Sequence, residues 1–124
     1  ANSVPRSNRF HDASRTVMPP TPFWRPDRPI PTAPYKVDWR NVPAKVWPGT
    51  PTITFGHTHD PAAGRSVTLN RDPGSGSGKT WYDLAQLIQR AMNRDPVVRS
   101  TYGTAPLYGV TTIHGALYVQ FQKR

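Results

Sequence analysis

Thr80-Trp81-Tyr82-Asp83-Leu84-Ala85-Gln86-Leu87-Ile88-Gln89-Arg90-Ala91-Met92-Asn93 is the stretch that decides the fold. It opens with Thr-x-x-Asp, the spacing of a capping box. In that arrangement the threonine hydroxyl and the carboxylate satisfy amides that the first helical turn leaves without partners. Behind the cap, Trp81, Leu84, Ala85, Ile88, Ala91 and Met92 recur at helical spacing, and Leu87 widens the stripe. Asn93-Arg94-Asp95-Pro96 ends the run, because a proline pushes its predecessor out of helical geometry. Such a helix needs an apolar face to cover.

The flanking segments supply that face. Thr52-Ile53-Thr54-Phe55 alternates polar and apolar residues as a half-buried strand does, and Arg65-Ser66-Val67-Thr68-Leu69-Asn70 alternates again. His57 to Gly64 reads as a connecting loop, and Asp72 to Gly78 as a flexible turn. After the helix, Val97 to Tyr102 is rich in β formers. Tyr108 to Ile113 and Ala116 to Gln122 then flank His114-Gly115, a two-residue hairpin turn. The order strand, strand, helix and three short strands predicts an α+β domain over residues 52–124. In it a small antiparallel sheet carries one amphipathic helix.

Residues 1–51 follow a different grammar. Eleven of the fifteen prolines lie there, and Met18-Pro19-Pro20-Thr21-Pro22-Phe23-Trp24-Arg25-Pro26-Asp27-Arg28-Pro29-Ile30-Pro31 excludes an internal helix or a central strand. The stretch reads as a polyproline-like extended arm. Tyr35, Val37 and Trp39 share one parity, and Val42, Ala44 and Val46 another, as in a short strand or an edge addition to another sheet. Phe10, Phe23, Trp24, Tyr35, Trp39 and Trp47 make the arm too aromatic for a solvated linker. Two receivers compete for these rings: neighbouring subunits, or the chain's own small domain. Docking on neighbours is the favoured reading, with Phe23, Trp24, Tyr35, Trp39 and Trp47 as anchors and Arg25 and Arg28 beside them. Deleting residues 1–48 should then leave a folded domain that no longer joins its assembly.

The chain of 124 residues carries a formal charge of +9, from twelve arginines and four lysines against seven aspartates and no glutamate. The charge is even, with eight basic and three acidic residues in 1–51 and eight and four in 52–124. Nucleic-acid binders often gather charge into a block, and none is present here. Arginine is also favoured at protein interfaces, so protein partners are expected ahead of nucleic acid. The absence of cysteine excludes disulfides and thiolate metal sites. No run approaches 18 apolar residues and the N-terminus has no apolar signal core, so neither a membrane span nor a secretory signal is expected.

Three chemical motifs present themselves, and each is weak. Gly74-Ser75-Gly76-Ser77-Gly78-Lys79-Thr80 sits between a predicted strand and a helix, where a phosphate-binding loop would lie. The place of that loop's first glycine is Pro73, which has no amide to offer a phosphate. His57-Thr58-His59-Asp60 puts two imidazoles on one side of an extended chain, but a zinc site needs a third ligand, from His11, His114 or a scattered aspartate. No spacing commits a serine, a histidine and an aspartate to a triad. Neither an enzyme nor a bound cofactor or metal is expected.

Val67-Thr68-Leu69-Asn70, then Asp83-Leu84-Ala85 with Ile88, Ala91 and Asn93, then Leu117-Tyr118-Val119 carry a resemblance. Over residues 52–122 the chain resembles a small strand-pair, helix and hairpin module that recurs in bacteriophage tail sheath and baseplate proteins and in the flagellar filament cap. The resemblance implies a virion structural subunit that works by binding its neighbours, copies of itself included, in the capsid, neck or tail. A basic nucleic-acid-associated protein, such as a ribosome-like RNA-binding subunit, is the alternative.

Overall fold

The computed structural model of the chain describes residues 16–21, 23–32, 37–57 and 63–122. Strands β1 (Thr52–His57), β2 (Arg65–Thr68), β3 (Leu107–Ile113) and β4 (Ala116–Phe121) form one sheet in the order β2-β1-β4-β3. Helices α1 (Trp81–Asn93) and α2 (Pro96–Tyr102) lie between β2 and β3 in the chain. The α+β class holds.

Helix α1 begins and ends where its sequence places it. The capping box is complete: the Asp83 amide donates to Thr80 Oγ1 at 3.4 Å, and the Thr80 amide donates to Asp83 Oδ2 at 2.9 Å. All seven apolar residues of the stripe are buried. Thr80→Ala is expected to cost about 1 kcal/mol by removing the cap. A urea titration followed by far-UV circular dichroism checks this, and an unchanged midpoint would show that the cap contributes nothing.

Two expectations are corrected. The sheet is mixed rather than antiparallel, because β4 inserts between β1 and β3 and runs parallel to β1, with Ile53 opposite Leu117 and Phe55 opposite Val119. The reason is burial: five of the six β4 residues are buried, so the strand with least to show to water takes the centre. The second correction concerns Val97 to Tyr102, which is helical. Asp95 caps α2 by accepting from the Val97 and Val98 amides, and Pro96 fills the first helical position, where its fixed φ suits the turn and no amide is missed. The Asp95 carboxylate also accepts from Arg65 Nε at 2.6 Å, which holds it below the usual carboxylate range, with the two α2 amides adding to the effect. A good cap outweighs the β preference of two valines.

The β3–β4 hairpin turns at His114-Gly115 as its sequence indicates, with φ of 52° and 85° at the two central residues. Ile53, Phe55, Val110, Leu117, Val119 and Phe121 are fully buried and share one core with the stripe of α1. Phe55, Phe121 and Tyr102 stack at centroid separations between 5.4 and 6.5 Å, which joins α2 to the middle of the sheet.

The described part of the N-terminal segment packs on this core. Val17 exchanges two backbone hydrogen bonds with Val110 at 2.7 and 3.0 Å and so covers the β3 edge, which would otherwise be open to pairing. Gly109 permits that approach, since a Cβ there would lie 2.3 Å from Thr16 Cγ2. Farther on, the alternation does not produce a strand over its described residues 37–46. Asp38 caps a single 3-10 turn at Trp39–Asn41, and only the next few residues pair, the Ala44 amide with Lys79 O and the Trp81 amide with Val42 O. The arm thus makes its edge addition to the start of its own helix.

Candidate functional site

Of the seven residues expected to meet a partner, two are spoken for inside the chain. Trp39 is completely buried, with its ring 5.3 Å from Trp24 and 5.5 Å from Trp81, and its Nε1 donates to Thr21 Oγ1 at 3.0 Å. Trp24 is 4% exposed, and its Nε1 donates to the carbonyls of Arg28 and Pro29. The expectation that these indoles reach a neighbour is therefore corrected. Proline stiffness does not prevent self-wrapping, because the chain bends at Trp24–Pro29 around its own indole. Tyr35 lies outside the described residues. Trp47 is half-buried and donates to Pro73 O at 3.3 Å.

Phe23 is the opposite case. It is 71% exposed and its φ is 73°, a left-handed backbone that a bulky residue adopts at a cost of roughly 1–3 kcal/mol. The chain after it is fixed. Trp24 O accepts from the Leu107 amide, Asp27 donates its amide to Gly103 O, and Gln89 Nε2 donates to Pro26 O and Arg28 O. Arg25 and Arg28 flank Asp27 at 3.6 and 3.9 Å, and Arg28 is the more exposed of the two. Beside this platform lies a groove of about 930 Å³ walled by Pro26, Asp27, Met92, Pro96 and Val97, with Val97 50% exposed. The groove with its exposed valine, and the exposed ring three residues before Pro26, are apolar features suited to a protein partner. Val97 is invisible to a reading that places it in a strand.

A second cleft, of about 500 Å³, lies between the glycine-rich turn, Trp47 and α1. Arg71, Lys79, Arg90 and Arg94 line it together with Asp72 and Asp83. The turn packs closely there: Gly76 leaves no room for a side chain, since a Cβ would lie 2.5 Å from Trp47 Cβ. Lys79 Nζ sits over the Trp47 ring at 5.5 Å from its centroid. Both carboxylates serve backbone amides, Asp72 that of Gly74 at 2.9 Å and Asp83 that of Thr80. Charge counted along the sequence misses this cluster, because its cations come from separate segments. The recurrence of Arg90 and Arg94 one helical turn apart is the local sign of it.

His57 ends β1 instead of opening a loop, with its ring edge-on to Tyr102 at 5.4 Å and its backbone carbonyl accepting from the Tyr118 hydroxyl. Thr58, His59 and Asp60, the rest of the two-imidazole motif, lie outside the described residues. Among the described residues no three histidines or aspartates lie close enough together to hold a metal ion, and no helix is long and apolar enough to cross a membrane. Comparison with protein-family models, with curated proteins and with solved structures finds no match to this chain.

Proposed function

We propose that the chain is a structural subunit of a bacteriophage-like particle, acting without catalysis and assembling through protein contacts. In this reading the proline-rich residues 1–51 are an extended arm with two roles. Its inward indoles, Trp24 and Trp39, fasten it to its own domain, while Phe23 and Arg28 are presented to neighbouring subunits. The observation that carries the reading is Phe23: a large apolar ring, exposed and held at a left-handed φ by a fixed platform. Both features disfavour the isolated fold, and both are repaid if a neighbour buries the ring.

That pairing makes the test specific. Phe23→Gly relieves the left-handed strain, since glycine adopts positive φ without steric cost. The loss of unfolded-state restriction partly offsets the gain. The variant is expected to unfold at the same urea concentration as the parent or a higher one, yet to be lost from particles. Density-gradient fractions from the native source should carry the parent chain with the particle proteins in fixed proportion. Recovery of the parent only among free proteins or with ribosomes overturns the assembly role, and full incorporation of Phe23→Gly overturns the role of the ring.

A further inference from the structure

We propose that the cleft between the glycine-rich turn and α1 binds the phosphodiester backbone of single-stranded nucleic acid. Arg71 follows β2, Lys79 closes the turn, Arg90 stands on the last turn of α1 and Arg94 caps its end. None of the four forms an ion pair with a described residue. The groove beside Pro26 and Asp27 differs, because Arg99 is the single cation on its wall.

Stability accounts for only part of this cluster. Lys79 precedes the helix cap, where a cation opposes the helix dipole. Arg90 and Arg94 are like charges one turn apart, which disfavours a helix, although their place near its carboxy-terminal end offsets part of that. Arg94 donates Nε to Thr68 O at 3.0 Å, which orients its guanidinium and leaves the other four donors unused by that bond. The neutralising carboxylates, meanwhile, are turned to backbone amides.

The shape indicates the ligand. Lys79 stands before the first turn of α1 and Arg90 and Arg94 at its far end, about 20 Å along the axis, so the positive charge is spread along the helix. A nucleic-acid strand carries a charge every ~3.4 Å of its axis, and several phosphates would meet that span where a mononucleotide would meet only part of it. Trp47 is half-buried beside the cations with Lys79 over its ring, so an unpaired base that stacks there moves the ammonium from the ring to a phosphate. An acidic protein segment has charge to offer but no flat ring for the indole. The site is separate from the Phe23 platform and does not depend on the assembly role.

The test is fluorescence anisotropy of a labelled short oligothymidylate titrated with the full chain between about 50 and 200 mM salt. Saturable binding is expected, with log affinity falling against log salt at a slope of about −3, from about 0.7 for each of four contacts. Tryptophan emission should be quenched, Trp47 being the one indole of the four that is not buried. The double substitution Arg71→Ala with Arg90→Ala should weaken binding at least about tenfold at low salt and flatten the slope by about 1.4. Arg28→Ala with Arg99→Ala removes the same charge elsewhere and should weaken binding less than about threefold. Circular dichroism confirms that both variants fold. Three outcomes overturn the proposal: no saturable binding at the lowest salt, equal losses in the two double variants, or displacement of the oligonucleotide by polyglutamate at matched charge.

Discussion

Removing residues 1–48 is expected to abolish cooperative unfolding. The deletion takes Trp24, Trp39 and Val46 out of the common core and uncovers Trp81, which Trp39 meets edge-on. It also strips Val17 from the β3 edge, together with the two backbone bonds that tie Val42 and Ala44 to the start of α1. Truncating one buried tryptophan costs about 3–5 kcal/mol, and domains have about 5–15 kcal/mol in all. The two indoles touch, so their losses do not simply add. The exposed edge and the bared apolar face of α1 compound them. A broad, non-cooperative urea transition and a flat near-UV circular dichroism spectrum are the expected readouts. A sharp transition near the parent's midpoint would show instead that residues 52–124 stand alone, as their sequence suggests. The structure thus recasts the deletion: it tests folding, and only a single change such as Phe23→Gly tests assembly.

The parts of the fold that sequence reveals are those set by neighbours in the chain. The α1 cap, the stripe from Trp81 to Met92 and the His114-Gly115 turn each depend on residues within a few positions of one another, and each is found as read. The parallel pairing of β1 with β4 joins residues more than sixty apart, and no local window contains it. Helix α2 shows two local signals in competition. Val97, Val98 and Tyr102 favour a strand, while Asp95-Pro96 is both the stop of one helix and the cap and first residue of the next. Reading it only as a stop loses the helix. The arm misleads for another reason: prolines mark an extended chain locally, yet turns at Trp24–Pro29 and Trp39–Asn41 are enough to bring two indoles home. Phe23, one position from Trp24, faces the other way. Of the basic cleft only the Arg90–Arg94 spacing is visible in the sequence, because Arg71 and Lys79 join these arginines only after folding.

Trp39→Ala separates a core arm from a docking arm in a single residue. The indole is fully buried, has aromatic neighbours on two sides and directs its one donor at Thr21, itself 7% exposed. The substitution empties a large site and leaves the Thr21 hydroxyl without that donor, so a loss of about 4 kcal/mol is expected. Trp39→Phe keeps most of the apolar volume but not the donor, and should lose about 1–3 kcal/mol. Trp47→Ala, at a half-buried position, should lose less than Trp39→Ala although the residues removed are alike. Urea unfolding of the three full-length variants measures the order, with the slope of free energy against denaturant held constant as the check that the same fold is being compared. An arm that docks only on neighbours predicts the reverse, namely isolated chains of parental stability whichever indole is removed. A Trp39→Ala chain within about 1 kcal/mol of the parent would return that residue to the interface and the arm to its partners.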